Sequence, residues 1–402
     1  MAVSTTRTPP HRQRLAHLVA SLRPARAGSE SLARSSAAEA EPEPTVFINP
    51  RWAEAEAEFS RTSHAGVISA RDVAAARAEV SAWTGYEPTP LVELPQLAQK
   101  FGVSTLRCKH EGHRFEPVGS FKPTGVVYAL ARLLLAEVGQ PAPETGSSAA
   151  DLLLTGDYAE QLAGVTVCAA TSGNHGRALA FGARLFGCRC RIYMGTGVSA
   201  SRQTAIESLG ATVERVPGSY DDVVAKSEAD ATQHKYYVIS NVGYPNVDVP
   251  HLIMHGYALA GDEIATQLTQ DGDPPPTHVF ICGGGGRFGA GVAAALWQRY
   301  GAARPKCVMV EPLASAALQA SAKAGSPTTV EPGASVMDGL VVESASKIGY
   351  PVLHDAAFAF LAVPDDAARD AMRLLGEPHS DQPLVVGETG IAGWAGFIST
   401  LL

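Results

Sequence analysis

One lysine stands between glycines in a short segment whose composition suits covalent chemistry. Gly119–Gly125 reads Gly-Ser-Phe-Lys-Pro-Thr-Gly and places Lys122 just before a segment, 126–135, that is predicted to be helical. Glycines permit a sharp turn, and a proline such as Pro123 suits the first turn of a helix. A lysine held rigidly at such a turn can form a Schiff base with an aldehyde and can transfer a proton. Taken alone, the segment also fits a surface lysine near a helix start.

A second candidate segment is the polar turn Thr171–Gly176, which reads Thr-Ser-Gly-Asn-His-Gly and follows the apolar segment 165–170. Ligands of open α/β sheets bind at the carboxyl ends of strands, where this turn is predicted to lie. Asn174 could hydrogen-bond a hydroxyl on a cofactor ring, while Thr171, Ser172 and the free amides could bind a carboxylate. The simpler alternative is that Ser172 or Asn174 only caps the following helix.

Four consecutive glycines, Gly283–Gly286, lie between an apolar segment and a predicted helix at 289–300. Glycine amides can converge on a phosphate group, and the dipole of the following helix stabilises its negative charge. A dinucleotide site would need an acidic residue about twenty residues further on, and the sequence has none there. Arg287, directly after the glycines, either adds to phosphate binding or points to solvent. An amine, a polar turn and a phosphate site together predict pyridoxal phosphate as the cofactor.

Composition restricts the partners and the compartment. The chain has 402 residues, a net charge of −8 and 46% hydrophobic residues, which is normal for a globular enzyme and argues against a nucleic-acid partner. The six cysteines show no zinc or redox spacing, so we expect free thiols in a reducing compartment. No stretch approaches the ~20 apolar residues that a membrane span requires. We therefore expect a cytoplasmic protein without nucleic-acid or membrane partners.

The amino-terminal segment has a composition of its own. The first 29 residues contain no acid but five arginines, among serine, threonine and alanine residues. This composition fits a transit segment for an organelle such as the mitochondrion, and it fits a disordered leader equally well. Residues 1–44, which end in a Glu-Pro repeat, are therefore predicted to lie outside the fold.

The rest of the chain alternates between short apolar segments and helical segments, which predicts an α/β fold with mostly parallel sheets. Strands are predicted at 165–170, 189–194, 212–216, 236–240, 278–282 and 306–312. Further helices are predicted at 176–186, 199–209 and 220–233. We expect a smaller α/β domain at 126–244 and a larger, discontinuous domain at 45–125 plus 245–402. The segment 140–156 is rich in Pro, Gly, Ser and Ala and is predicted to be a loop insertion.

These motifs resemble those of the tryptophan-synthase-like, fold type II, pyridoxal phosphate enzymes, and the closer resemblance is to the diaminopropionate ammonia-lyase family. It extends over residues 47–402 and rests first on Lys122, the turn at 171–176 and the glycine loop. Further matching segments follow in the family's order: 83–91, 109–111 with Arg114 and Phe115, 173–177, 192–194, 220–222, 253–257, 310–312 and 387–390. The resemblance implies two three-layer αβα domains, the larger of which binds the cofactor.

The resemblance also implies an activity and its residues. It implies a homodimer that removes both amino groups of a small amino acid, 2,3-diaminopropionate, and releases pyruvate and ammonia. The implied cofactor-binding residues are Lys122, Phe121, Asn174, Gly283, Gly284, Gly285, Gly286 and Arg287. The implied substrate-binding residues are Ser120, Thr171, Ser172 and His175.

Two positions depart from the family pattern at the expected catalytic centre. The family carries one aspartate where this chain has Ser172, and a second where this chain has Asn241. Neither replacement is a carboxylate base, so Lys122 is predicted to act as the base, with Ser172 and Asn241 as the other catalytic positions. We therefore expect poor use of the D-enantiomer. Two alternatives stay open: a dehydratase of serine, threonine or a similar hydroxy amino acid, and a homologue that binds the cofactor but has weak or no catalysis.

The end of the chain is a third departure. The family continues beyond the region of 387–390 and supplies there a hydroxyl residue that contacts the pyridine nitrogen. This chain ends at Leu402 within a predicted helix, so the resemblance implies that the last strand is absent. We expect a truncated C-terminal end that exposes a sheet edge and apolar surface.

Overall fold

A computed structural model describes residues 43–144, 146–171, 173–240, 243–244, 247–377 and 381–401. The predicted leader at 1–44 lies outside the described residues except for its last two positions. Ser172 and Asn241, two of the three expected catalytic positions, also lie outside them.

Strands and helices alternate through most of the described chain. The strands are β1 Thr45–Ile48, β2 Leu91–Glu93, β3 Arg107–Lys109, β4 Thr166–Ala170, β5 Arg189–Gly195, β6 Thr212–Val216, β7 Tyr237–Val238, β8 His278–Cys282, β9 Lys306–Pro312 and β10 Ala357–Val363. The α-helices are α1 Arg51–Glu54, α2 Ala70–Ser81, α3 Pro95–Phe101, α4 Lys122–Glu137, α5 Ala150–Leu153, α6 Ala159–Gly164, α7 Asn174–Phe186, α8 Ala200–Glu207, α9 Tyr220–His234, α10 Val249–Tyr257, α11 Leu259–Asp271, α12 Arg287–Tyr300, α13 Ala317–Ala324, α14 Gly349–Ala356, α15 Asp365–Gly376 and α16 Ala392–Ser399. No helix of these is long and apolar enough to cross a bilayer.

One sheet consists of four parallel strands in the order β6-β5-β4-β7. Because the strands are parallel, their carboxyl ends meet at one edge, where the turn after β4 and the end of β7 lie side by side. The predicted strand at 236–240 is shorter than expected, since only Tyr237 and Val238 pair with β4. The amide of Ile239 still donates to the carbonyl of Cys168 at 2.9 Å, so the chain stays beside β4 to that point.

The second sheet has the order β1-β10-β9-β8, in which β10, β9 and β8 are parallel and β1 is antiparallel. Its central strand β9 is buried, as the apolar run at Val308–Val310 predicts. In the described part of the chain β8 pairs with β9 alone. The other side of β8 borders a groove, and β2 and β3, which pair with each other as an antiparallel hairpin, contribute to the lining of that groove.

Helices α4 and α10 cross at close range, and this contact determines where Lys122 lies. Gly125 in α4 and Gly256 in α10 face each other at the crossing. A Cβ atom on Gly125 would overlap the carbonyl of Ile253, and one on Gly256 would overlap the carbonyl of Thr124. The buried α4 begins at Lys122 itself, earlier than the predicted 126, so the candidate lysine is part of a fixed helix.

The predicted loop insertion at 140–156 contains a short helix, α5. Its residues Ala150 and Leu153 are buried, and the carboxylate of Glu79 in α2 accepts hydrogen bonds from the amides of Ala149 and Ala150. These amides belong to the start of the helix, where backbone donors have no partner within the helix. A residue that is distant in the sequence, Glu79, therefore stabilises a helix that the local composition does not predict.

We predict that Gly125→Ala lowers the free energy of unfolding by about 1–3 kcal/mol, because the added methyl group overpacks the crossing of α4 and α10. Gly164→Ala is the matched control, since no atom lies within 4 Å of its Cβ position. Its free energy of unfolding should change by no more than about 0.5 kcal/mol. Urea denaturation followed by circular dichroism measures both values. Two variants of equal stability would contradict the constraint that we assign to this crossing.

Candidate active site

The amine of Lys122 lies among aromatic rings at the start of α4. Its Nζ atom is 5.0 Å from the centroid of the Phe121 ring and 5.5 Å from that of Tyr257. Phe121 in turn stacks on Phe288, with ring centroids 3.8 Å apart. Residues at the starts of α4 and α12 and at the end of α10 therefore meet around this amine. Such apolar surroundings strip water from an amine, which suits a lysine that reacts as a nucleophile.

A cavity of about 1060 Å³ opens beside this aromatic cluster. Its inner lining includes Ser120, Phe121, Asn174 and Cys282, the last residue before the glycine loop. The hydroxyl of Ser120 is buried and has no hydrogen-bond partner among the described residues. An unpaired buried hydroxyl costs free energy until a ligand binds it. From there the cavity continues outward as the groove beside β8.

The glycine loop between β8 and α12 leaves backbone amides free for a ligand. The amide of Gly283 donates to the carbonyl of Val310 at 2.7 Å, whereas the amides of Gly284 and Gly285 find no acceptor in the described part of the chain. No atom lies within 4 Å of the Cβ position of Gly285, and Gly286 has a φ of +91°, which favours glycine. Free amides before a helix N-terminus bind anions, so the loop fits the phosphate of pyridoxal phosphate.

The turn after β4 is held by hydrogen bonds at Thr171 and borders the cavity at Asn174. The amide of Thr171 donates to the carbonyl of Tyr193 at 3.0 Å, and the Thr171 hydroxyl accepts from the amide of Gly173 at 3.3 Å. Helix α7 begins at Asn174, whose exposed side chain lines the cavity. The structure thus brings Asn174 to the cavity that Ser120 and Phe121 also line. Ser172, between these anchored residues, is outside the described range.

His175 is a neutral histidine held between the ends of strands β4 and β7. Its Nε2 atom lies 2.6 Å from the carbonyl oxygen of Ile239, so this nitrogen carries the proton and donates it. Burial lowers the pKa of His175 to about 3, and the positive charges of Lys122 and Arg287 act in the same direction. At neutral pH the ring is therefore an uncharged group of the turn and not an acid.

Arg287 is the first residue of α12 and is half-buried. Its Nη1 atom lies 3.4 Å from the carbonyl oxygen of Ser240, so the side chain reaches from the glycine loop to the end of β7. Burial lowers the pKa of the guanidinium, while the nearby phenols of Tyr220 and Tyr257 oppose this effect. Of the two orientations that the sequence allows, the structure shows one that faces inward.

A buried cluster of charges, which motif analysis identifies only in part, holds the chain just before Lys122. Arg114 binds both carboxylate oxygens of Glu263 at 2.7 Å, and Lys109 binds the same carboxylate at 2.7 Å. Glu111 accepts from Arg114 at 2.9 Å and lines the cavity. The matching segment at 109–114 contains three of these residues, but Glu263 escapes notice because it lies on the buried face of α11. A charged residue among Leu259, Ile264 and Leu268 is the signal that could have revealed it.

Glu263 is ionised in spite of its burial. Burial alone would raise its pKa, but the hydrogen bonds and charges of Arg114 and Lys109 lower it on balance. A carboxyl group with a lowered pKa in the folded state stabilises the fold above its ordinary pKa of 4.5. This contribution is lost as the pH falls through the folded-state pKa.

We predict that Glu263→Gln destabilises the protein by about 3–5 kcal/mol at neutral pH, because it leaves Arg114 and Lys109 buried without a counter-ion. The matched control is Glu54→Gln, which breaks an exposed pair with Arg51 and should cost no more than about 1 kcal/mol. Urea denaturation at a series of pH values is the measurement. The gap between wild type and Glu263→Gln should narrow on acidification below pH 4.5, and a gap that is constant with pH would contradict this role.

Comparison with known proteins identifies the family to which the chain belongs. The family profile described as "Pyridoxal-phosphate dependent enzyme" matches residues 82–401. Diaminopropionate ammonia-lyase of Escherichia coli (strain K12) is 32% identical over 314 residues, which are 77% of this chain and 76% of that protein. L-threo-3-hydroxyaspartate ammonia-lyase of Pseudomonas sp is 28% identical over 310 residues, 76% of this chain and 82% of that protein.

Solved structures agree with the sequence relatives. The crystal structure of Escherichia coli diaminopropionate ammonia-lyase in complex with an aminoacrylate-PLP azomethine reaction intermediate superimposes with a TM-score of 0.76. The two chains are 29% identical, and the match covers 89% of this chain and 87% of that one. The expected fold type II architecture and the expected cofactor, pyridoxal phosphate, are thereby confirmed. The protein belongs to the diaminopropionate ammonia-lyase family of pyridoxal-phosphate-dependent enzymes.

Proposed function

We propose that this enzyme is an ammonia-lyase that converts 2,3-diaminopropionate and water into pyruvate and two molecules of ammonia. The observation that carries the proposal is the position of Lys122 at the fixed start of α4, where its charge acts on His175 of the turn and on Cys282, the residue before the glycine loop. The relatives that match over three quarters of their length and bear this name support the same reaction.

The geometry of the two loops supports the following cofactor roles. Lys122 would hold pyridoxal phosphate covalently, and the bound cofactor would withdraw electrons from the substrate Cα atom. The free amides of Gly284 and Gly285, together with Gly283 and Gly286 that shape the loop, would bind its phosphate. Asn174 would donate to its ring oxygen, and Phe121, in the aromatic cluster of Lys122, would pack beside it.

The substrate roles concern one carboxylate and one proton. Ser120, Thr171, Ser172 and the backbone amide of His175 bind the α-carboxylate, for which the unpaired hydroxyl of Ser120 is a ready donor. Lys122 removes the Cα proton and returns it to the departing amine. At the two positions where the family carries aspartates, this chain has the neutral residues Ser172 and Asn241. With Lys122 as the base on one face, we expect the D-enantiomer to react poorly.

The assembly and the domain division complete the proposal. We infer a homodimer with a small amino acid as its substrate, and a smaller domain at 126–244 inserted between 45–125 and 245–402. The parallel sheet β4–β7 lies wholly within the range of the smaller domain. The cavity is lined almost wholly by residues of the larger domain, and Asn174 lines it from the smaller one, so binding of an amino acid would involve both.

A second candidate reaction is the dehydration of a β-hydroxy amino acid. It is favoured by the relatives that are named threonine dehydratase or L-threo-3-hydroxyaspartate ammonia-lyase. It is also favoured by the neutral Ser172 and Asn241, since the departure of a hydroxyl group does not require a carboxylate at these positions. Both candidates use the same cofactor and the same lysine.

We predict that the purified protein with pyridoxal phosphate absorbs near ~420 nm, because a Schiff base is conjugated with the pyridine ring. Lys122→Ala should abolish this band and any release of keto acid. Lys100→Ala, an exposed lysine at the end of α3, is the control that keeps both. A spectrum of Lys122→Ala equal to that of wild type would contradict the assignment of the lysine.

A coupled keto-acid assay decides between the candidate reactions. The substrates are both enantiomers of 2,3-diaminopropionate, serine and threonine. Release of pyruvate from L-2,3-diaminopropionate in preference to serine supports the ammonia-lyase, and the reverse order supports the dehydratase. If the band is present but no amino acid is converted, the protein is a cofactor-binding homologue without catalysis.

A further inference from the structure

The side chain of Glu311 has no role in the proposed reaction, yet it is in direct contact with the glycine loop. Glu311 lies in strand β9 and is fully buried. A Cβ atom on Gly283 would lie only 2.7 Å from the Cγ atom of Glu311, so the backbone of the loop packs against this side chain. The same strand also binds the loop through its backbone, because the carbonyl of Val310 accepts from the amide of Gly283 at 2.7 Å.

The carboxylate of Glu311 caps helix α13. Its Oε1 atom accepts from the amide of Leu318 at 2.8 Å, and its Oε2 atom accepts from the amide of Gln319 at 2.9 Å. Both amides belong to the first turn, where backbone donors have no partner within the helix. Ala316, the residue before the helix, has no side-chain oxygen that could accept from them. Glu311 therefore fixes the start of α13 relative to β9.

Leu318 extends this contact to the other end of the loop. A Cβ atom on Gly286 would lie 2.9 Å from the Cδ2 atom of Leu318, and one on Gly283 would lie 3.3 Å from its Cδ1 atom. The two loop amides that find no acceptor in the described part of the chain lie between these glycines. Glu311 thus contacts one end of the loop directly and supports both ends through the amide of Leu318.

For a cap that only stabilises a helix, Glu311 is an unfavourable residue. Among the described residues no lysine, arginine or histidine nitrogen lies within 4.0 Å of its carboxylate. Burial raises the pKa of Glu311 to about 8, although the hydrogen bonds from the two amides oppose this shift. A buried carboxylate without a counter-ion destabilises the fold. Residues of this kind concentrate at functional sites.

A second buried carboxylate makes the same kind of cap at a different place. Asp381 accepts from the amides of Gln96 and Leu97, at 3.1 and 2.8 Å, at the start of α3. Helix α3 connects the hairpin strands β2 and β3 and does not border the glycine loop in the chain. The comparison of Glu311 with Asp381 therefore separates the capping of a helix from the support of the loop.

We propose that Glu311 is a positioning residue for the phosphate of the cofactor. It holds the loop so that the amides of Gly284 and Gly285 converge on the phosphate, and it does not contact the phosphate itself. The inference rests on the proposed function of this loop. Donors that are already in place bind a charged group more tightly than donors that must first be ordered. Loss of the carboxylate should therefore weaken the binding of the phosphate and leave the link with Lys122 intact.

The binding of pyridoxal phosphate and of pyridoxal to the cofactor-free protein tests the proposal, because the two aldehydes differ only in the phosphate. Both can form a Schiff base with Lys122, whose absorbance near ~420 nm follows binding. Wild type should bind pyridoxal phosphate more tightly than pyridoxal. In Glu311→Gln this preference should fall roughly 10- to 100-fold, as expected for hydrogen bonds to a charged group. The new side chain keeps the size but turns an NH2 group, a donor, toward one of the two amides.

Asp381→Asn is the matched control, since it disrupts the same kind of cap at α3. Its preference for pyridoxal phosphate should stay within about 2-fold of that of wild type, because the site is distant. Leu318→Ala is a second variant in case Glu311→Gln does not fold, and it should also lower the preference. Its control is Leu375→Ala, which removes a buried leucine from α15.

A fall of the preference that is confined to Glu311→Gln and Leu318→Ala supports the inference, whichever amino acid the enzyme converts. An unchanged preference in both variants refutes it, and so does an equal fall in Asp381→Asn. In these two cases the phosphate role of the loop stands. Equal binding of the two aldehydes by wild type refutes the phosphate role of the loop and the inference with it. None of these results depends on turnover, so a failure of the proposed ammonia-lyase reaction is recognised separately by the keto-acid assay.

Discussion

The distance between Lys122 and the glycine loop depends on one helix, α10, whose backbone contacts the neighbouring helices α4 and α12 directly. Gly256 of α10 lies against Gly125 and Thr124 of α4, the helix that begins with Lys122. On its other side, Gly291 of α12 lies against Met254 and the start of α11, so that no Cβ atom would fit. Helices that meet through side chains are usually ~8–10 Å apart, and glycines allow closer contact with little freedom to slide. Two such contacts in series fix Lys122 relative to the glycine loop.

The same helix also contributes a side chain to the surroundings of Lys122. Tyr257 is the last residue of α10, and its ring lies 5.5 Å from the amine of Lys122. The ring also contacts Phe121 and Phe288 edge to face, with centroids 5.1 and 5.9 Å apart. Aromatic contacts of this kind are directional, so the cluster fixes the surroundings of the lysine at the start of α4. Helix α10 therefore determines both the position of the Lys122 amine and its surroundings.

Sequence reasoning succeeded where the determinant is local and failed where it is distant. The strands at 278–282 and 306–312 are found as predicted, because an apolar run bounded by turn residues is complete within itself. The cap of α5 by Glu79 and the pairing of Arg114 with Glu263 join residues 70 and 149 positions apart. No window of sequence contains both partners. The candidate lysine, the glycine loop and the turn were identifiable because each is a short segment, whereas their mutual arrangement depends on α10, which carries no chemical motif.

The charges of the site explain why its ligand matters to its structure. The cluster around Glu263 balances its own cations with buried carboxylates, so it is complete without a ligand. The region of Arg287 is not balanced in this way, since its acceptor is a carbonyl and its charged neighbour is a lysine. A cluster whose charges are balanced within the chain stabilises the scaffold without a ligand. A site with an unpaired cation gains binding energy only when an anion binds to it.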